Sequence, residues 1–179
     1  ALGLVVNIAV TGAIGPILGQ NWGAGQLDRV RQTIRTAYGF ALAWGLVMCV
    51  ACVLFGRGMA GFFSDSPTVI DTATLYFWVV GISFGLQGMG MVSTVTLNAF
   101  KHPLLSAGLN FVRQFLLYVP AAYLANQYWG VPGIFASLVL ANLFGSSTGY
   151  LMVNRALNRL DEAALARATA PHAQPSPAE

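Results

Sequence analysis

Long apolar runs separated by short polar interruptions run the length of the chain. Residues 33–55, 72–98, 104–125 and 131–153 each reach the length at which a helix crosses a membrane, since a hydrocarbon core of ~30 Å takes ~20 residues at 1.5 Å rise. Residues 1–19 read as a fifth, incomplete span. It opens in apolar sequence without an initiating Met or a charged leader, so the chain is expected to be the C-terminal part of a longer protein. Period-2 alternation marks no segment, and the pattern predicts an all-α, polytopic integral-membrane helix bundle of about four and a half spans over residues 1–158.

The interruptions have their own structure. Gly19-Gln20-Asn21-Trp22-Gly23-Ala24 breaks the first span, with Trp22 suited to an interface. Leu27, Val30, Ile34 and Ala37 then recur at helical spacing opposite Asp28, Arg29, Arg31, Gln32 and Arg35. That amphipathic face predicts a segment lying along the membrane surface before it turns inward. Between the second and third spans, residues 56–71 read as a connection in which Phe62 and Phe63 dip into the interface and Ser66-Pro67 opens the next helix. Small residues four apart, at Gly15 and Gly19, Gly81 and Gly85, and Ala141, Gly145 and Gly149, predict close helix contacts. Residues 159–179, rich in Ala and Pro, read as a disordered tail in which His172 is solvated.

Composition agrees with a bilayer environment. Hydrophobic residues make up 56% of the chain and charged residues 8%, with a mean hydropathy of +0.64, whereas soluble domains carry roughly 25% charged residues. The charges are unevenly placed. Arg29, Arg31, Arg35, Lys101, Arg155, Arg159 and Arg167 fall in alternate connections and the tail, and Arg57 alone occupies the other set. The positive-inside rule therefore puts residues 20–32, 98–103 and the tail in the cytoplasm, with residues 56–71 and 126–130 outside.

Catalytic chemistry finds no foothold. His102 and His172 sit in different segments, no His, Cys and carboxylate cluster has ligand spacing, and no phosphate-binding Gly-rich loop occurs. No enzyme activity, cofactor, metal or nucleic-acid partner is expected. Cys49 and Cys52 lie mid-span among Val, Ala and Leu, where they read as small packing residues. Polar residues inside spans are more informative, because lipid does not satisfy them and they turn toward a bundle interior or a cavity. Tyr76, Val80, Ser83, Phe84, Gln87, Met91 and Thr94 share one face of the third span. Tyr76, Ser83, Phe84, Gln87 and Met91 are thus candidate contacts for an amphipathic organic substrate, while ordinary interhelical hydrogen bonding is the alternative for Ser83 and Gln87. Asn7 with Thr11, and Asn142 with Ser146, form similar pairs that fit helix packing. Arg113, near Asn110 and Gln114, lies toward the cytoplasmic end of its span, where a structural anchor fits better than a substrate or gate group. Pro120 frees a carbonyl one turn earlier, which gives the span a kink or a hinge.

Several of these features together resemble the multidrug and toxic compound extrusion (MATE) family. They are Gly19-Gln20-x-x-Gly23-Ala24 at a cytoplasmic helix end with a basic turn after it, Phe62-Phe63-Ser64-Asp65-Ser66-Pro67-x-Val69-Ile70 before the next span, and the stretch from Arg113 through Pro120-Ala121-Ala122-Tyr123. The resemblance implies a twelve-helix transporter of two six-helix bundles, this chain supplying the end of the eighth helix and helices nine to twelve. It implies export of cationic or amphipathic organic compounds in exchange for H+ or Na+, in a bacterial inner membrane, with a missing N-terminal bundle and the lipid bilayer as partners. Sodium-coupled branches resemble one another in a carboxylate within the tenth helix, and residues 72–98 hold none; Asp71 stands at their outer mouth. The coupling ion is left open. A lipid-linked oligosaccharide flippase of the same superfamily and a non-transporting membrane scaffold are the rival readings.

Overall fold

A computed structural model of the chain describes residues 2–63 and 65–169. In order, the elements are α1 (Leu2–Gly23), α2 (Leu27–Phe63), α3 (Pro67–Ala99), α4 (Pro103–Phe111), a π-helical segment (Val112–Tyr118), α5 (Val119–Trp129) and α6 (Val131–Thr169). Among the described residues α1, α2, α3 and α6 are each long and apolar enough to cross a membrane. The fifth segment that the sequence reads as a span is a rod formed by α4, the π segment and α5. Val112, Tyr118 and Val119 at its joints all keep right-handed helical backbone, so the rod is continuous from Pro103 to Trp129.

Pro120 accounts for where the rod changes register. It is the second residue of α5 and has no N–H to donate, and just before it the Val119 N–H reaches back five residues to the Gln114 carbonyl. Widening the helix ahead of the proline spares the steric clash that a proline imposes on an α-helical turn.

Three expectations need correction. The amphipathic stretch after Gln26 is no separate surface segment: it forms the first turns of α2, which runs unbroken for 37 residues, about 55 Å. Its apolar residues Val30, Ile34 and Ala37 are buried against protein, and no Gly or Pro between Leu27 and Ala37 offers a break. The outer connection is also far shorter than residues 56–71, because α2 continues to Phe63 and α3 starts at Pro67. Helix continues there because Gly56 and Ala60 are buried and Gly56 faces Phe77 of α3, so packing outweighs the glycine penalty. At the other end α6 persists to Thr169, into the stretch from residue 159 expected to be disordered, as the Ala-rich sequence 163–168 favours helix. The remainder of the expected tail, with His172, and motif residue Ser64 lie outside the described residues.

The turns follow from their residues. Gly25, at φ 69°, closes α1: its N–H bonds the Trp22 carbonyl and the Gln26 N–H bonds that of Asn21, the pattern that ends a helix on a left-handed residue. Lys101 takes the same role after α3 at φ 61°. Ser66 caps α3 with Pro67 behind it, as the sequence indicates. Gly130, at φ 62° and ψ −147°, joins α5 to α6 in a conformation open essentially only to glycine.

Packing centres on α3, against which α1, α2, α4 and α6 all lie. The closest approach is to α2, where Gly45 and Gly85 meet backbone to backbone and Gly81 lies on Cys49 and Cys52. Gly149 of α6 fits against Ser93 of α3. Gly15 touches Val95, but Gly19 has open space beside it, so the first expected small-residue pair makes only half its contact. Leu18, Val30, Ile34, Val92, Leu97, Phe100, Val153 and Leu157 form the main apolar cluster. It joins the end of α1, the start of α2, the end of α3 and the later turns of α6, and so fixes one end of the bundle.

Candidate functional site

The intramembrane polar residues fall into two groups on either side of the α4–α5 rod. The first centres on Arg113 in the π segment. Its Nη1 donates to Asn142 Oδ1 of α6 and its Nη2 to Asn110 Oδ1 one turn earlier, both at 3.3 Å. Asn110 in turn donates through Nδ2 to Thr94 Oγ1 of α3 at 3.1 Å. Four side chains on three neighbouring elements therefore form one hydrogen-bonded path. Two glycines leave room for it: a Cβ at Gly145 would overlap the Arg113 stem, and one at Gly90 would lie 3.5 Å from Nη1. Nε is buried with no acceptor among the described residues. The arrangement holds a guanidinium in one orientation between α3 and α6 and ties the rod to both helices.

The second group is the face of α3 between α1 and the rod. At 3.6 residues per turn, Gly88 and Val95 point toward Asn7 and Gly15 of α1, while Gly90 and Thr94 point toward Arg113 and Asn110 of the rod. Gln87, Met91 and Val80 fall in the angular gap between them. Gln87 and Met91 are half-buried, and among the described residues the Gln87 amide makes no hydrogen bond. Asn7 stands beside this face on α1: it is 2% exposed, with Nδ2 buried and unpaired among the described residues and Oδ1 3.0 Å from where a Gly88 Cβ would sit.

The five candidate substrate contacts are not all alike. Gln87 and Met91 face the gap together. Phe84 lies at its α1 edge, against Gly3. Ser83, 2% exposed, donates to the Val80 carbonyl of its own helix at 3.1 Å, so its hydroxyl is already satisfied. Tyr76 lies farther along, edge-on to Phe135 of α6 with ring centroids 5.0 Å apart, and lines a separate cavity with Thr68, Thr72 and Phe135. Thr94, on the same face by sequence, belongs to the Arg113 path instead.

Among the motif residues, Gln20 accepts the Ala24 N–H at the end of α1, and nothing lies within contact distance of a Cβ at Gly19 or Gly23. Asp71, the carboxylate at the mouth of α3, pairs with Arg57 of α2 at 3.2 Å, both side chains being largely exposed. No three His, Cys, Asp or Glu side chains gather as a metal site among the described residues. The sequence had brought Arg113 together with Asn110 but missed its link to Asn142. The only local signal for that link was an Asn and a Gly three residues apart on α6, at Asn142 and Gly145.

The geometry is that of a bundle of membrane-length helices with two interior polar groups, and comparison with known proteins gives its family. The MatE family model matches residues 1–124. The chain belongs to the MatE family. This MatE chain is 29% identical over 152 residues to the FAD transporter of Shewanella oneidensis, covering 85% of itself and 34% of that protein. With the multidrug export protein MepA of Staphylococcus aureus it shares 24% identity over 146 residues, 81% of itself and 32% of MepA. The crystal structure of the Vibrio cholerae MATE transporter VcmN in the bent form superposes with a TM-score of 0.82 at 25% identity, over 88% of this chain and 36% of that one. The MatE chain thus spans about a third of the length of the curated relatives it matches, and its fold is that of a polytopic membrane transporter bundle.

Proposed function

We propose that this chain is the C-terminal bundle of a secondary antiporter that exports cationic or amphipathic organic compounds in exchange for H+ or Na+, moving them by alternating access against an N-terminal bundle. The observation that carries the reading, beside the family match, is the unpaired Gln87 amide on the face of α3 between α1 and the rod, flanked by Met91 and Phe84. A half-buried amide with apolar, polarizable neighbours suits an organic cation that offers one hydrogen bond and an aromatic body.

One further reading has specific support. A relative named as an FAD transporter favours an anionic, aromatic substrate for the same face. A lipid-linked oligosaccharide flippase would need free cations for a pyrophosphate, and both terminal nitrogens of Arg113 are engaged by Asn110 and Asn142. A non-transporting scaffold would have no use for an unsatisfied amide in the bundle.

The test is Gln87→Ala in the complete transporter, with export of several unrelated cationic dyes and of FAD measured beside protein level and thermal stability. A lost contact is ligand-specific, so export of some substrates should fall several-fold more than others with expression near normal. A uniform loss proportional to lost protein would make Gln87 a packing residue and remove it from the site. Export of FAD but of no dye would move the substrate class to the anionic reading, and export by the isolated chain would overturn the two-bundle reading.

A further inference from the structure

At the end of the bundle that carries most of the basic residues, a cavity of about 300 Å³ opens between the end of α1, the α3–α4 turn and residues 152–160 of α6. Its inner wall is apolar, formed by Leu97, Phe100, Met152 and Ala156, with Trp22 stacked on Phe100 at 4.4 Å. Its rim is basic, formed by Arg155, Arg159 and His102, and no carboxylate lines it among the described residues. Arg155 and Arg159 stand one turn apart on α6, where like charges repel, and neither makes an ion pair among the described residues. A bound anion between them would relieve that repulsion.

We propose that this cavity holds the phosphate headgroup of an anionic phospholipid from the cytoplasmic leaflet. The volume suits a phosphate and its glycerol, not a whole lipid, and the wall beyond the rim supplies the rest of the site. Leu105 lines the cavity and Leu104 beside it is 87% exposed, which gives the acyl chains an apolar surface leading out toward the bilayer. Trp22 is amphipathic and half-buried, and indole rings favour the boundary between headgroups and tails. Basic pockets between helices on the cytoplasmic side are the sites where anionic headgroups gain most from the protein. The geometry of the cavity itself comes from packing: the helix-ending turn at Lys101 carries the chain across to His102, and Phe100 is held beneath it against Trp22. The inference needs only the cytoplasmic placement of this end and is independent of the transported substrate.

Native mass spectrometry of the complete transporter, released from micelles holding equal amounts of phosphatidylglycerol and phosphatidylcholine, tests it. The wild-type protein should retain phosphatidylglycerol preferentially. Arg155→Gln with Arg159→Gln should weaken that retention about 30-fold, as expected for two arginines at a headgroup, while Arg155→Lys with Arg159→Lys keeps most of it. Met152→Trp, which fills the cavity and leaves the charges in place, should also lose the preference. Arg29→Gln with Arg35→Gln, removing two cations of the same membrane side from outside the cavity, should leave it unchanged. Equal retention of both lipids by the wild type overturns the proposal. So does equal loss in the Arg29 and Arg35 variant, which would mean a diffuse surface charge, and so does displacement of the lipid by inorganic phosphate at matching concentration.

Discussion

Gly45 and Gly85 look equivalent where α2 crosses α3, yet they tolerate a side chain very differently. A Cβ on Gly45 would overlap the Gly85 Cα and N, which are backbone and do not give way, whereas a Cβ on Gly85 would meet the Gly45 Cα at an ordinary 3.5 Å. Gly45→Ala is therefore expected to lower stability by about 1–3 kcal/mol, the usual cost of forcing volume into a packed interface. Gly85→Ala should cost less than half as much, and Gly39→Ala, with open space around it, should be neutral or slightly stabilising through helix propensity. Thermal midpoints of the three variants in one detergent check the order, and Gly85→Ala proving the worst would show that the helices cross elsewhere. The sequence pointed to Gly81 and Gly85 through their spacing, and passed over Gly45 although Ala41 stands four residues before it.

Among the elements, the rod and α6 show how a cross-helix polar pair controls an interface. Asn142 accepts from Arg113, and removing it leaves a half-buried guanidinium short of an acceptor when Nε already has none among the described residues. Asn142→Ala should then destabilise by about 1.5–3 kcal/mol, the range for hydrogen bonds to charged groups. Arg113→Met combined with Asn142→Leu should recover part of that loss, because an apolar pair of similar volume removes the buried charge and leaves only the Asn110 Oδ1 without its donor. Ser146→Ala, whose hydroxyl donates to the Leu143 carbonyl of its own helix, is the neutral control. A double-mutant cycle on thermal unfolding reads the coupling; full additivity would mean the pair carries none. These pairings explain what sequence patterns could and could not supply. The rod was legible as one span from its length, and the start of α3 from Ser66-Pro67. The extent of α2 beyond Gly56 was not, since glycine there looks like punctuation until Phe77 of the neighbouring helix is seen against it. Within the candidate site, Arg113 and Asn110 share a helix and could be paired from spacing, but Asn142 is 29 residues away and only the packing of α6 on the rod brings it near. The π segment was foreshadowed by Pro120 as a kink, although a proline does not specify how the turn before it relaxes.

For the whole molecule, the sided distribution of charge makes a claim about orientation that the fold sharpens. Arg29, Arg31 and Arg35 lie at the start of α2, Lys101 follows α3, and Arg155 and Arg159 lie in the second half of α6. The turn at Gly25 and the turn at Lys101 meet at this end, since Trp22 stacks on Phe100, so six basic residues converge on one end of the bundle. The opposite end, where α2 gives way to α3 and α5 to α6, has Arg57 engaged with Asp71. Positive residues are retained in the cytoplasm during insertion, and the two ends should therefore be reached from opposite sides of the membrane. In the complete transporter with Cys49→Ala and Cys52→Ala, a single cysteine at Gln26 is expected to react with an impermeant maleimide only after the cells are opened. A single cysteine at Ser66 should react in intact cells. Both positions are exposed turns, so failure to label would not be confused with burial, and an opened-cell control gives each its maximum. Gln26 and Ser66 reacting from the same side would overturn the orientation, and with it the cytoplasmic placement of the basic cavity beside Trp22.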